Sequence, residues 1–225
     1  MTLDNAHSDA RSAIFASIRD NLAASASFDA IRNEHHVHAA SELALTGSTI
    51  RDRAEVINGF RENLKLLGAK CAFVENEPEA ADRLSEIVNV LNAKKIVISD
   101  SELVHRIVNA SGFDAVQDAS REELFASDIG VTSAQWAIAE TGTLVLGSGA
   151  ERHRLVSLVP PVHVCILLTG SIRQSMAEIL EIADPDANRT ITFITGASRT
   201  SDIELTLAIG VHGPGELHVI VIKDQ

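Results

Sequence analysis

The chain has 225 residues, 45% of them apolar, and carries a formal net charge of −12 with a sequence pI near 5.1. That length supports one sizeable core with at most a small appendage, and that charge repels a phosphate backbone or an anionic membrane, so nucleic-acid binding is not expected. No apolar run approaches the roughly 18 residues of a membrane span, and the opening MTLDNAHSDARSAIF lacks a basic region followed by an apolar stretch, so the reducing cytoplasm is the expected compartment.

In chain order, residues 8–24 place Ile14, Phe15, Ile18 and Leu22 at helical spacing, which predicts a short helix suited to docking on a partner. The polar, weakly periodic stretch 27–48 reads as a linker. The expected division is therefore an N-terminal helix and linker over 1–48 and one α/β domain over 49–225. His35, His36 and His38 cluster in the linker, but no cysteine or carboxylate completes a recognisable ligand spacing, so no metal is expected. From about residue 50 the pattern becomes regular. An amphipathic helix runs over 50–67, then come a strand at AKCAFVE, a helix opened by Pro78 and a strand at KKIVIS. Asp100 and Ser101 can cap a helix from Glu102 to Asn109 that Gly112 ends.

Strand-like runs recur at 129–132, 162–168, 190–195 and 217–222. Short strands alternating with helices predict a largely parallel sheet covered on both faces, with ligands at the carboxyl ends of its strands. The segment WAIAETGTLVLGSG breaks the alternation and reads as two short strands around a tight bend or bulge at Gly142. Glu140 in that segment must face solvent or find a partner. Cys71 and Cys165 each lie in an apolar strand-like run and read as reduced core residues.

Three stretches carry candidate chemistry. ITGASRTSDIE changes halfway from a strand to a polar cluster, with Asp202 to Ala208 reading as the start of a helix. A strand-to-helix loop of this kind aims free N–H groups at its mouth, where the backbone at Gly196, the hydroxyls of Ser198 and Thr200 and the guanidinium of Arg199 can join them as an anion cradle. Asp202 either favours the positive end of the helix or pairs with Arg199, and the same residues also suit simple helix capping. GVHGPGELHVIVI sets His212 and Pro214 among Gly210, Gly213 and Gly215, a constrained loop whose histidine can donate to an oxyanion or move a proton, or simply face water. GSGAERHRLVSLVPPVHV puts Arg152, His153 and Arg154 before a face of Leu155, Val156 and Leu158 expected to be buried. No G-x-S-x-G, P-loop or G-x-G-x-x-G spacing occurs around these residues.

In order along the chain stand E-T-G-T at Glu140 to Thr143, P-x-x-H at Pro160 to His163, T-G-x-S-R-T-x-D-I-E from Thr195, and G-x-H-G-P from Gly210. This order closely resembles the C-terminal signature of the LUD-domain family, in its lactate-utilisation protein C (LutC/YkgG) branch. The resemblance is strong over roughly 125–225 and only general before that. It implies a three-layer α/β/α fold of the type shared by sugar-phosphate isomerases and CoA-transferases. It also implies a subunit supporting oxidation of L-lactate to pyruvate, in company with an iron–sulfur LUD protein and a cysteine-rich oxidoreductase subunit. With two cysteines and no C-x-x-C, this chain is expected to carry no cofactor of its own, the clusters residing in those partners. The site implied binds a small carboxylate or phosphate with Thr141, Gly142, Thr143, Gly196, Ser198, Arg199, Thr200, Asp202 and Gly213, while Glu140 and His212 act as acid or base. The alternative is a stand-alone CoA-transferase-like or phosphosugar-type enzyme, because Glu140-Thr141-Gly142 is similar in form to the nucleophile motif of class I CoA-transferases.

Overall fold

The computed structural model describes residues 13–20, 52–148, 154–183, 190–200, 208–210 and 212–224. The chain divides into two units, Met1–Ile50 and Arg51–Gln225. In the first, residues 13–20 are helical (α1), with Ile14, Phe15 and Ile18 exposed. The ends of the expected 8–24 helix, the 27–48 linker and its three histidines lie outside the described residues.

The second unit starts with α2 (Arg53–Leu66), which buries Val56, Phe60 and Leu64, spaced four apart on one face. It leads into β1 (Lys70–Val74). Helix α3 (Glu77–Leu91) opens where Asn76 accepts a hydrogen bond from the Glu79 N–H at 2.9 Å, with Pro78 in the first turn, where a missing N–H costs nothing. Strand β2 (Ile96–Ile98) and helix α4 (Glu102–Ser111) follow, the helix running from Ser101 to Gly112 and so slightly longer than its pattern predicts. Between α4 and β4 (Ile129–Ser133) lie β3 (Ala115–Gln117) and α5 (Arg121–Phe125), the latter closed by a reciprocal capping box of Ser120 and Glu123. These two elements are too short to show periodicity.

The remaining elements are β5 (Trp136–Ile138), β6 (Thr143–Gly147), a 3-10 turn (Arg154–Ser157), β7 (Val162–Leu168), β8 (Ile172–Arg173), α6 (Met176–Ile182), β9 (Ile191–Ile194), β10 (Arg199–Thr200), β11 (Ala208–Ile209) and β12 (Glu216–Ile222). Six strands form an all-parallel sheet in the order β1-β12-β7-β4-β2-β3, in which β12 pairs with β7 along its whole length. Central strands buried on both faces are largely apolar, which is why VHVCILL and ELHVIVI read as near-continuous apolar runs broken by His163, Glu216 and His218.

Alternate residues of these strands feed two cores. Val164, Ile166, Ile220 and Ile222 pack with Leu84 and Ile87 of α3 and Val104 and Ile107 of α4. Cys165, Leu167, Val219 and Val221 pack with Phe60 and Leu64 of α2, and with Ala137, Leu144 and Leu146 of a second sheet. The α/β class and the mostly parallel sheet are as expected, but helices do not cover the second face alone. A four-stranded sheet, β8-β5-β6-β9, shares it with α2, and the 190–195 run belongs there, antiparallel to β6, and not to the parallel sheet. The tight bend at Gly142 produces this layer by folding β6 back antiparallel to β5. The 3-10 turn buries Val156 alone of the expected apolar trio, while Leu155 and Leu158 stay partly exposed.

Candidate functional site

The E-T-G-T turn docks on the end of α2. Gly142 has φ +65°, and a Cβ added there would come within 3.0 Å of the backbone of Asn63 and Leu64, so both its conformation and its close approach demand glycine. The Asn63 side chain donates to the Ala139 carbonyl at 2.7 Å and locks the turn in place. Thr143 is buried, and its hydroxyl lies 2.7 Å from those of both Thr141 and Thr195, a three-hydroxyl chain joining the turn to the strand end after β9. Glu140 faces solvent, and its carboxylate accepts the Met176 N–H at the start of α6 at 3.3 Å.

Arg199 also goes to α2. Its guanidinium donates to the Leu67 carbonyl at 2.7 Å, satisfying one of the helix's last acceptors and placing a cation at the negative end of the helix. The strand-to-helix loop expected here is different in kind. Arg199–Thr200 is a strand paired antiparallel with Ala208–Ile209, so Ala208 is not helical. The Thr200 side chain, Asp202, Arg152 and His153 lie outside the described residues.

Beside this hairpin lies a cavity of about 210 Å³. Thr195, Gly196 and Ser198 form one wall, and His212, Gly213 and Pro214 form another. The two walls are stitched together by the Ser198 N–H donating to the Pro214 carbonyl at 2.8 Å and the Gly210 N–H to the Ser198 carbonyl at 2.9 Å. The floor includes Ser157 and His163, near the amino end of β7. His163 is fully buried; its Nε2 lies 2.9 Å from the Thr132 hydroxyl on β4, while Nδ1 has no partner among the described residues. Burial pushes its pKa down to about 3, so the ring is neutral at pH 7. A neutral imidazole can donate or accept at Nδ1, according to whether Thr132 donates to or accepts from Nε2.

Of the residues singled out in the sequence, Gly196, Ser198, His212 and Gly213 meet in this cavity. Glu140, Thr141, Gly142, Thr143 and Arg199 are not among its lining residues; the E-T-G-T turn is linked to it through Thr195, the end of the hydroxyl chain, and Arg199 adjoins the lining residue Ser198. Ser157 and His163 are additional lining residues. His163 is the last residue of the P-x-x-H motif and was therefore visible, but in an apolar strand it reads as core. Among the described residues no group of three His, Cys, Asp or Glu side chains is placed to hold a metal. Nor is any described helix long and apolar enough to cross a membrane.

The LUD domain model matches residues 57–222. Lactate utilization protein C of Deinococcus radiodurans is 33% identical over 177 residues, covering 76% of this chain and 81% of that protein. Its namesake in Anoxybacillus flavithermus is 30% identical over 188 residues, covering 76% and 86%. The chain belongs to the LUD-domain family, in the branch of lactate utilization protein C. The crystal structure of a DUF162 family protein from Deinococcus radiodurans superposes with a TM-score of 0.61 at 28% identity, covering 76% of this chain and 99% of that one.

In this LUD domain the recurrent motifs divide into two physical tasks. E-T-G-T and Arg199 secure the end of α2, whereas His163, Ser198 and the H-G-P loop enclose space. The cysteines enclose none. Cys165 is buried in the core, and burial pushes the Cys71 thiol up to about 12, so it is inert as a nucleophile at pH 7.

Proposed function

We propose that this LUD protein is a non-redox subunit of a cytoplasmic system that oxidises L-lactate to pyruvate, and that its cavity binds the small carboxylate. The two electrons from lactate would go to clusters in the partners, an iron–sulfur LUD protein and a cysteine-rich oxidoreductase subunit, and the two protons to solvent, because two cysteines here cannot hold a cluster. The relatives' names support the pathway. The observation that carries the site is buried His163, a lining residue of the cavity with Ser198 and His212, whose Nδ1 has no partner among the described residues.

An unmatched buried polar atom costs about 1–3 kcal/mol, which a ligand oxygen recovers. The volume lies below the roughly 300–1,000 Å³ of sites for drug-sized molecules and suits a ligand of a few heavy atoms. Thr132 donating to Nε2 leaves a hydrogen on Nδ1, and this tautomer, with the Ser198 hydroxyl and the His212 ring, offers donors to a carboxylate. Leu158, Phe193 and Leu217 leave room on the apolar side for a methyl group. Glu140 and Arg199 position the loops. A transferase with Glu140 as nucleophile remains the alternative on this fold, but no observation favours it, since Glu140 lies off the cavity.

Calorimetry of the full chain with L-lactate, pyruvate and inorganic phosphate tests this reading. Lactate or pyruvate should bind, and Ser198→Ala should weaken binding about tenfold, the worth of one hydrogen bond. Absence of carboxylate binding, or equal binding by Ser198→Ala, rejects the site. Lactate oxidation reconstituted with the iron–sulfur partners tests the pathway separately: unchanged rates without this chain reject the subunit role.

A further inference from the structure

A second, larger cavity of about 480 Å³ lies at the opposite end of the parallel sheet, where the carboxyl ends of β1, β12 and β7 meet the first turns of α2. His163 and Thr169 are six residues apart along β7, which at about 3.3 Å per residue puts roughly 20 Å between the two cavities. Parallel sheets take ligands at this end because strand carbonyl ends and crossover loops leave a crevice there.

The walls are cationic on a chain of net charge −12. Arg53 is held by carbonyl acceptors, the Thr169 oxygen and that of Ile172 at 2.6 Å, so backbone dipoles and not carboxylates fix its guanidinium at the rim. Arg61, two turns further along α2, stacks over the Phe73 ring with its central carbon 4.1 Å from the centroid. Among the described residues no carboxylate pairs with Arg53 or Arg61. Of the two acids on the walls, Glu75 is engaged by Lys223 at 2.9 Å, and Asp224 rests on Gly170, where an added Cβ would meet its carboxylate oxygen at 2.0 Å. Two preorganised guanidiniums therefore face the cavity with N–H groups to spare, since each carries five donors.

We propose that this carboxyl-end cavity is a second ligand site, separate from the Ser198–His212 cavity, and that it takes a phosphate-bearing small molecule whose phosphate lies across Arg53 and Arg61. Planar guanidinium forks match phosphate oxygens in pairs. The volume falls within the usual range for small-molecule sites and holds more than a phosphate alone. The outer face of Arg61, with Phe73 behind it, offers the remainder of the ligand a flat cationic surface. The proposal stands apart from the reading of the amino-end cavity, and either can fail without the other.

Titration of the full chain with inorganic pyrophosphate, followed by calorimetry and by phosphorus NMR, tests it. The expected result is saturable one-to-one binding that Arg61→Ala weakens at least tenfold, that Arg61→Lys weakens less, and that Ser198→Ala leaves unchanged. Arg61 is exposed and its side chain makes no hydrogen bond among those of the described residues, so Arg61→Ala keeps the fold, as circular dichroism will verify. No binding by the wild type overturns the proposal. So does binding that survives Arg61→Ala, or that is lost in Ser198→Ala. Competition by L-lactate as strong as that by pyrophosphate would overturn the phosphate assignment in favour of a general carboxylate site.

Discussion

The two ends of the parallel sheet solve opposite problems. At the amino end of β7, glycine-rich loops line a cavity of about 210 Å³ with imidazole and hydroxyl groups, one of them on a buried histidine whose Nδ1 has no partner among the described residues. At the carboxyl end a cavity of about 480 Å³ is walled by one guanidinium fixed on backbone carbonyls and another stacked on an aromatic ring. A small site built of hydrogen-bonding side chains selects by shape and by hydrogen-bond matching, while a cationic one selects by charge and responds to salt. The chain thus runs along β7 from His163 in the first cavity to the Thr169 carbonyl, just beyond the strand, that holds Arg53 in the second.

The largest way to break this contrast is at Gly130. A Cβ there would meet the Val156 carbonyl oxygen at 2.0 Å, and that oxygen belongs to the 3-10 turn that positions Ser157 and Leu158 in the amino-end cavity. Gly130→Ala should destabilise the fold by about 3 kcal/mol, the upper part of the overpacking range, as read from urea unfolding. A loss under 1 kcal/mol would show that the turn yields freely. Gly142→Ala should cost about 2 kcal/mol, from a strained positive φ and contact with the α2 backbone, and should loosen the amino-end cavity through Thr143 and Thr195. Pyrophosphate binding at the other end should survive it; a parallel loss of both ligands would mean that the ends are not independent.

Acid sharpens the comparison, because among the described residues the amino-end cavity has a buried neutral histidine in its lining and the carboxyl-end cavity has none. The His163 pKa is near 3 when folded against an ordinary 6.5, so below pH 6.5 the unfolded chain takes up a proton that the folded chain refuses. The stability it contributes is fully present above pH 6.5 and is lost as pH falls toward 3, by at most about 1.4 kcal/mol per pH unit. His218, also held low chiefly by burial, acts in the same direction. His163→Gln should therefore flatten the pH dependence of unfolding free energy between 6.5 and 3 without abolishing it; an unchanged slope would show that the ring protonates in place. The smallest effect belongs to Arg199→Ala, which removes one helix-end hydrogen bond at an exposed position and should cost about 0.5–1 kcal/mol in thermal unfolding. Carboxylate binding should change little, and a loss of tenfold or more would return Arg199 to the role of clamp.

The α/β class, the strand pairs flanking Gly142 and the long central strands were legible because each carries a periodic or punctuated pattern. Pro78 marks a helix start by local chemistry alone. The second sheet was not legible: a short apolar strand such as ITFI looks the same whether it joins a parallel or an antiparallel neighbour. At the site, Ser198, Gly196, His212 and Gly213 announce themselves through glycine-rich loops. His163 is masked by the apolar strand around it, and the bond of Arg199 to the Leu67 carbonyl, 132 residues away, leaves no local signal. The carboxyl-end cavity leaves no motif, because Arg53, Arg61, Phe73 and Lys223 converge only through the pairing of β1 with β12.

The central claim, that the amino-end cavity holds a small carboxylate on His163, is tested most directly by imidazole nitrogen NMR during titration with L-lactate or pyruvate. Saturable binding should shift the His163 resonances and settle the ring as the neutral tautomer with its hydrogen on Nδ1, leaving the ring of Phe73 at the far end unperturbed. His163 resonances that stay fixed through a saturating titration would contradict the claim.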